Sequence, residues 1–473
     1  MSSLSAGFAR ENITPAIGGI PLAGYGITHL RLASRILDPI YVNATALSGD
    51  TGERAVLLTL DIISLNNELI DEYRAAISAA TGLKEDHIFL GGTHTHSAPD
   101  HKSPLESMRV YLHEYLPPIL IRAAKRALAD LKPATISYGS IEVGRPGTRL
   151  NFVRHYLMTD RERPDDPAPE DAYEAGDNYG EEYSSDLARY RYIGHEEPED
   201  PVLQLVKLSR EDADDILFIN FQAHATITGG RLKPDLSADY PGVLVREAEA
   251  LLPGTRAVYL QGAAGNLNPA TQIEEESITG ITFGKGYGDE THRAYAHILA
   301  SHVLKLMEKG LTPSVSGDLA FAREIFTGEL DHTTDVLLPQ AEEVWAIYKD
   351  EGNTPRIRAL CREKGFYSPY QCGSIRRRAQ AGLTRDIELN ALRLGDCGLI
   401  LAPYEMFCGS GKYIKEHSPF ALTLIKAYSC GYHSYMPTKN ATPACYERHQ
   451  TPFVLGTAEK LAEEYVKLLE TLA

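Results

Sequence analysis

This sequence is short of positive charge. Its 473 residues include 47 Lys and Arg against 64 Asp and Glu, a net charge of -17. That balance argues against a phosphate-backbone partner and against an anionic membrane surface. Long apolar runs are missing as well, since no stretch approaches the ~20 residues that span a bilayer. The opening MSSLSAGFARENITPAIGG has no basic start followed by an apolar core. It does not read as a secretory signal, and the expected location is the cytoplasm. Cysteine is scarce. The six (Cys361, Cys372, Cys397, Cys408, Cys430, Cys445) lie in the last quarter of the chain and form no CxxC pair. They are expected as reduced, mostly buried thiols. Nucleotide cradles are absent too: there is no G-x-G-x-x-G, and GAAGN at 262–266 lacks the G-K-[ST] ending. These absences leave a small-molecule substrate, no nucleic acid and no membrane insertion, with the oligomeric state open.

What is present is a large α/β pattern. Hydrophobic residues are 43% and charged residues 23%, ordinary values for a globular chain with ample core. AVLLTLDII (55–63) is a buried strand, and the following NNELIDEYRAAISAATG is a helix ending near Gly82. HIFLGGTHTHS is a strand with a glycine-rich exit. Residues 111–131 read as a helix whose start Pro117 and Pro118 interrupt, and ATISYGSIEV is again a strand. Further strands are expected at PVLQLVKLS, DILFINFQAHAT, RAVYLQGAAGN, IELNALRLG and CGLILAPYEMF. Helices are expected at 291–309, across 336–385 (with the basic stretch IRRRAQAG) and at 457–473. With no internal repeat and no linker, the expectation is one interwoven unit over 1–473, a layered α/β/α arrangement around a large mixed sheet. One segment breaks the composition. Residues 160–200 hold 15 acidic and 4 basic residues, so they bury little and read as a surface insertion over about 159–200. That insertion is either a solvated loop or a lid whose tyrosines (Tyr173, Tyr179, Tyr183, Tyr190, Tyr192) supply contact area. Its charge favours a cationic or neutral, sugar-like substrate.

The chemistry concentrates in GGTHTHSAPDH (91–101), which leaves the C-terminal end of a strand, where open α/β sheets bind ligands. His94 and His96 are two apart, so on extended backbone both face one side. Two converging imidazoles suit a borderline-soft divalent ion, zinc above all. A structural histidine pair is the competing reading. The H-x-H-x-D-H pattern of metallo-β-lactamase-type enzymes does not fit, because Asp100 and His101 come two residues too late.

Three more segments sharpen this: His224 in NFQAHAT, Glu405 in LILAPYEMF, and Tyr435 in GYHSYMPT. Together with HTHS they resemble the zinc-binding segments of the neutral/alkaline, non-lysosomal ceramidase family. The resemblance implies His94, His224, Glu405 and Tyr435 as zinc ligands, with Tyr432 close enough to compete and His96 either supporting a ligand from behind or facing substrate. It runs in order from about residue 5 to 450 through ENITPAIGGIPLAGYG, DPIYVNATAL, TLDI with Asp61, SADYPG and RLNFVRHYLMTD. The last implies Arg154 as an active-site arginine, and ACYER implies Tyr446 as the family's second tyrosine. Asp239, in SADYPG, either supports a ligand or caps the following helix.

Two departures bear on activity. Where the family pattern carries a catalytic serine, the segment QGAAGNLNPA places Asn268. An amide cannot attack, but it can donate a hydrogen bond to a developing oxyanion; a turn role before proline is the alternative. The sequence also has no room for the family's immunoglobulin-like C-terminal domain. The expected activity is therefore a zinc-dependent hydrolase of an amide, ester or lactone in a small soluble metabolite, not a ceramide hydrolase in the strict sense. A metal-bound water would be the nucleophile, with His96, Arg154 and Asn268 stabilising the oxyanion and Tyr446 and Tyr435 donating a proton or tuning the metal. The same residues would serve a lyase, isomerase or glycoside-cleaving enzyme, or a metal-stabilised binding protein without catalysis.

Overall fold

Apolar, β-branched runs in the first 260 residues form one mixed sheet. The computed structural model describes residues 4–26, 30–144, 150–154, 156–160, 190–195, 197–229, 233–270, 290–441 and 445–473. In chain order the main strands and helices of this half are β1 (Leu4–Asn12), β2 (Tyr41–Ser48), β3 (Arg54–Leu60), α1 (Asn67–Thr81), β4 (Ile88–Gly92), α2 (Leu116–Ala129), β5 (Lys132–Glu142), β6 (Val202–Arg210), β7 (Asp215–Phe221), α3 (Asp239–Leu251), β8 (Thr255–Gln261) and α4 (Thr291–Lys309). The strand order is β8-β7-β6-β5-β1-β2-β3-β4. The centre is an antiparallel meander, and each flank ends in a parallel pair, β3/β4 and β7/β8. A parallel pair needs a crossover, and α1 and α3 provide it. Local chemistry sets their ends. Asn66 caps α1 by accepting from the Leu69 N–H, and Gly82 closes it at φ 74°, as the sequence reading expects. Pro117 and Pro118 sit at the start of α2, which continues without a break from a π-turn at Tyr111–Tyr115, and the wider turn accommodates the missing N–H groups.

The second half builds a smaller sheet from β9 (Leu319–Glu329), β10 (Thr384–Leu394), β11 (Cys397–Leu401) and β12 (Leu422–Lys426), in the order β9-β10-β11-β12 with β11 and β12 parallel. Its helices are α5 (Leu338–Glu351), α6 (Pro355–Glu363), α7 (Pro369–Ala379), α8 (Cys408–His417), α9 (Tyr446–Gln450) and α10 (Thr457–Glu470). The apolar faces decide the layering. Helices α1 to α4 cover one face of the large sheet. The other face packs on the second sheet through Phe89, Phe218, Leu260, Leu392, Leu399 and Leu424. The far side of the second sheet is closed by α10 through Leu461, Tyr465 and Leu469. The α/β class and the large mixed sheet match the sequence reading. The layer opposite the helices is a second sheet, so the order is α/β/β/α. Strands β10 to β12 are apolar on both faces, which is why they lie between layers and not at a surface.

The two sheets are joined where the site lies. Ala427 N–H donates to Gln261 at the end of β8, while Cys430 N–H donates to Leu90 and Gly92 N–H to Tyr428 at the end of β4. The segment after β12 thus ties together the two outermost strands of the large sheet. The expected insertion enters β-structure at Tyr156–Asp160 and Tyr190–His195; its lid role falls on residues 161–189, outside the described residues. Glu197 and Asp200, at its end, contact α8: Glu197 accepts from Cys408 Sγ, and Asp200 accepts from Lys415 Nζ. All six cysteines are free and buried. Among the described residues no helix is long and apolar enough to cross a membrane.

Candidate metal centre

The site is assembled from the segments that follow β4, β7, β8, β11 and β12, all at C-terminal strand ends. His94 follows β4 and adopts φ 65°. The spacing reading assumes extended backbone there; a left-handed non-glycine residue instead costs about 1–3 kcal/mol and persists only where surroundings impose it. Here Leu60 and Ile62 accept the Thr93 and His94 N–H groups. The ring is fixed too. Its Nδ1 lies 2.9 Å from the Ile63 carbonyl, so Nδ1 carries the proton and Nε2 a lone pair. His224 repeats the device, with Nδ1 2.7 Å from the Ala264 carbonyl.

The two Nε2 atoms face one another at 3.0 Å. Both are acceptors, so no hydrogen bond joins them, and bare lone pairs at that distance repel. Glu405 Oε2 lies 3.4 Å from each Nε2 and has no hydrogen-bond partner, while Oε1 accepts from Tyr432 Oη at 2.5 Å. His96 Nε2 adds a fourth atom, 3.2 Å from His94 Nε2. Gly24 presses on the His96 ring so closely that a Cβ there would meet Nδ1 at 2.2 Å. His94, His96 and His224 are buried and form a group that can hold a metal ion, their ligand atoms within 4.8 Å of one another. Imidazole nitrogens with a carboxylate oxygen are a donor set that fits zinc.

The other residues singled out in the sequence are brought to the same place. Tyr435 pairs with Glu405 in a two-residue parallel bridge, Glu405–Met406 against Tyr435–Met436. Its ring lies 6.4 Å from that of His224 and nearly parallel to it. The Arg154 guanidinium stands 5.6 Å from the Tyr435 ring centroid, donates to the Gly265 carbonyl and pairs with buried Glu447. Asn268 lies in the short strand Leu267–Pro269, opposite Phe152 and next to the strand that leads into Arg154. Tyr446 opens α9 and meets Tyr435 edge-on at 5.7 Å. Asp100 and His101 stay outside the histidine group. Asp239 takes a supporting place behind a histidine loop. It opens α3 and accepts from the Thr228 N–H and hydroxyl, bracing the loop beyond His224. Asp61 braces the other histidine loop, accepting from Tyr41 N–H and Thr93 Oγ1.

One residue escaped the sequence reading. Tyr428 stacks on His94 at 3.6 Å, has φ 57° and carries a buried hydroxyl without a partner. No local motif marks it; only the strained turn after β12 puts it there. The electrostatics follow from burial. Desolvation, with the neighbouring imidazoles, holds His96 well below the usual histidine range and brings His224 down to about 4. Burial opposes ionisation of Glu405, but His94 and His224 outweigh it and hold the carboxyl well below its ordinary value. Burial pushes the Tyr428, Tyr432 and Tyr435 phenols well up, which favours their protonated forms.

The chain matches no protein-family model and no curated protein. Solved structures do match. The neutral ceramidase from Pseudomonas aeruginosa has a TM-score of 0.68 at 16% identity, covering 100% of this chain and 75% of that one. A ceramidase complexed with C2 gives 0.67 at 16% identity with the same coverage. This chain has a neutral ceramidase-like fold. At that identity the likeness establishes the architecture; the chemistry has to be read from the side chains present here.

Proposed function

We propose that this chain is a zinc-dependent hydrolase acting on an amide, ester or lactone bond of a small soluble metabolite in the cytoplasm. The observation that carries this is the pair of unprotonated nitrogens, His94 Nε2 and His224 Nε2, facing each other at 3.0 Å beside an unpartnered Glu405 oxygen. Such a pocket is stable with a cation at its centre and strained without one. His94, His224 and Glu405 would hold the ion, and Tyr435 would supply the fourth donor as its phenolate. When bound, the ion polarises a carbonyl and acidifies water. The remaining steps belong to the chain. Tyr432 fixes the Glu405 carboxylate by donating to Oε1. Arg154, held by Glu447, directs positive charge past the Tyr435 ring, and Asn268 offers an amide donor where a nucleophilic serine would otherwise stand. His96 Nε2 faces the same space and is placed to exchange a proton with the substrate. Six buried free thiols fit a reducing compartment.

The test is metal content of the purified protein by plasma emission, for wild type and His94→Ala side by side. About one zinc per chain, lost in the variant, supports the centre and directs screening to amides, esters and lactones. Incorporation of oxygen from labelled water into product separates hydrolysis from elimination or isomerisation. No metal in wild type after zinc is supplied would leave a binding protein on this scaffold.

A further inference from the structure

The basic stretch in IRRRAQAG has a purpose that zinc chemistry leaves unexplained. Two of its arginines are engaged: Arg376 pairs with Glu342, and Arg378 donates to the Thr451 carbonyl and Thr334 hydroxyl. Arg377 has no hydrogen bond or ion pair among the described residues, and its side chain is exposed. It lies on α7, which packs against α9, the helix opened by Tyr446. Burial lowers its pKa, and Tyr446, Tyr432, Arg385 and Arg376 are the groups near enough to act on it electrostatically. Lys102 approaches from the opposite loop, its Nζ 4.3 Å from the Tyr432 ring centroid, and it too has no ion pair among the described residues. Arg385 is the third such cation, within charge range of Arg377 and His433.

Tyr432 is the ruler for this cluster. Its hydroxyl touches Glu405 Oε1 while Lys102 covers its partly exposed ring, so the cations begin one phenol away from the metal centre. Lys102 and Arg377 feel each other's charge, and both reach solvent while burial of their surroundings lowers their pKa values. A cation that reaches solvent beside low-dielectric surroundings acts through a focused field. Asp100 and Glu405 are the carboxylates acting on Lys102, and Glu405 is already committed to the histidines and Tyr432. Like charges gathered without an ion pair cost the free protein stability, and among them only Lys102 has a nearby carboxylate, Asp100, not already committed elsewhere.

We propose that Lys102, Arg377 and Arg385 form an oxyanion-binding mouth, so the substrate carries a carboxylate or phosphate group close to the bond that is cleaved. This rests on reading the His94–His224–Glu405 centre as the place of reaction. It replaces the cationic or neutral substrate that the acidic insertion suggests, since that insertion's charge falls mainly on residues 161–189, outside the described residues. Glutarate and glutaramide, equal in shape and different in charge, are the probes, with inorganic phosphate as a second anion. Binding is measured calorimetrically at low and high salt on zinc-loaded wild type, Arg377→Gln and Lys102→Gln, with zinc content and thermal unfolding recorded on the same samples. Glutarate or phosphate should bind at least tenfold more tightly than glutaramide. Arg377→Gln should weaken the anion about tenfold while retaining its zinc, and salt should do likewise. The tighter anion names the oxyanion. If Arg377→Gln does not fold, Lys102→Gln, at an exposed position, gives the same readout. Equal affinity for glutarate, phosphate and glutaramide would overturn the proposal, as would an anion that binds both variants as tightly as wild type, because it would then be ligating the metal alone. A protein that binds glutarate in this way but takes up no zinc would retain the mouth and lose the metal reading instead.

Discussion

The large sheet supplies the centre with imidazoles locked by backbone carbonyls, Ile63 for His94 and Ala264 for His224. The four-stranded sheet supplies a carboxylate and phenols held largely by other side chains, such as Tyr432 on Glu405. The two kinds of support teach different things. A ring pinned by main-chain carbonyls has its tautomer and lone pair set by the fold, so it is a fixed donor. A carboxylate positioned by a neighbouring phenol can be retuned by one substitution. The same division holds outward from the centre. The uncompensated cations Arg377 and Arg385 come from the second half of the chain, with Lys102 reaching across to meet them.

The largest effect expected concerns the imidazoles. Burial brings His101 to about 3 and His224 and His433 to about 4, from the ordinary histidine value near 6.5. Their folded pKa values are depressed, so the unfolded chain binds more protons below pH 6.5. The stability they leave intact above 6.5 is lost as pH falls towards 4. In metal-stripped protein, moving from pH 7 to 4.5 should remove roughly 2–3 kcal/mol per histidine. Asp61 works the other way. Burial raises it to about 6, so its unfavourable contribution at pH 7 is relieved as the solution is acidified, recovering about 2 kcal/mol. Urea unfolding should therefore show a net loss of several kcal/mol, and a flat profile would show these rings to be less buried than the packing implies.

Next comes the tie between the halves. Arg154 and Glu447 form a buried pair. Arg154→Met leaves an uncompensated carboxylate and should cost about 3–5 kcal/mol, most of it regained when Glu447→Gln is added. Destabilisation that simply adds in the double variant would mean the two residues act separately. The smallest effect isolates the side-chain support of the second sheet. Tyr432→Phe removes one hydrogen bond to Glu405 and should weaken zinc by about 10–100-fold while barely moving the fold's melting temperature. Unchanged zinc affinity would show that Glu405, like the histidines, is fixed by its backbone.

Much of the architecture is legible in the residues. The apolar β-branched runs give the strands, Asn66 and Gly82 mark the ends of α1, and the amphipathic tail gives α10. The α/β/β/α layering is not legible, because a run that is apolar on both faces reads the same whether a helix or a sheet covers it. At the centre, HTHS, His224, Glu405 and Tyr435 are visible as motifs through resemblance, whereas Tyr428 is not, since nothing in its neighbours announces a strained turn. The direction of the lone pairs is likewise beyond sequence, because it depends on carbonyls 31 and 40 residues away along the chain.

The sequence by itself determined part of the strand and helix inventory, the acidic balance and the candidate donors, because these follow from periodicity and residue chemistry; β2, β9, β12 and α8 emerge only in the fold. The tertiary structure alone decided that donors up to 311 residues apart share one pocket. Residues 427–430 bind the ends of β4 and β8 together through backbone hydrogen bonds, and His94, His224 and Glu405 can converge only when that closure is made.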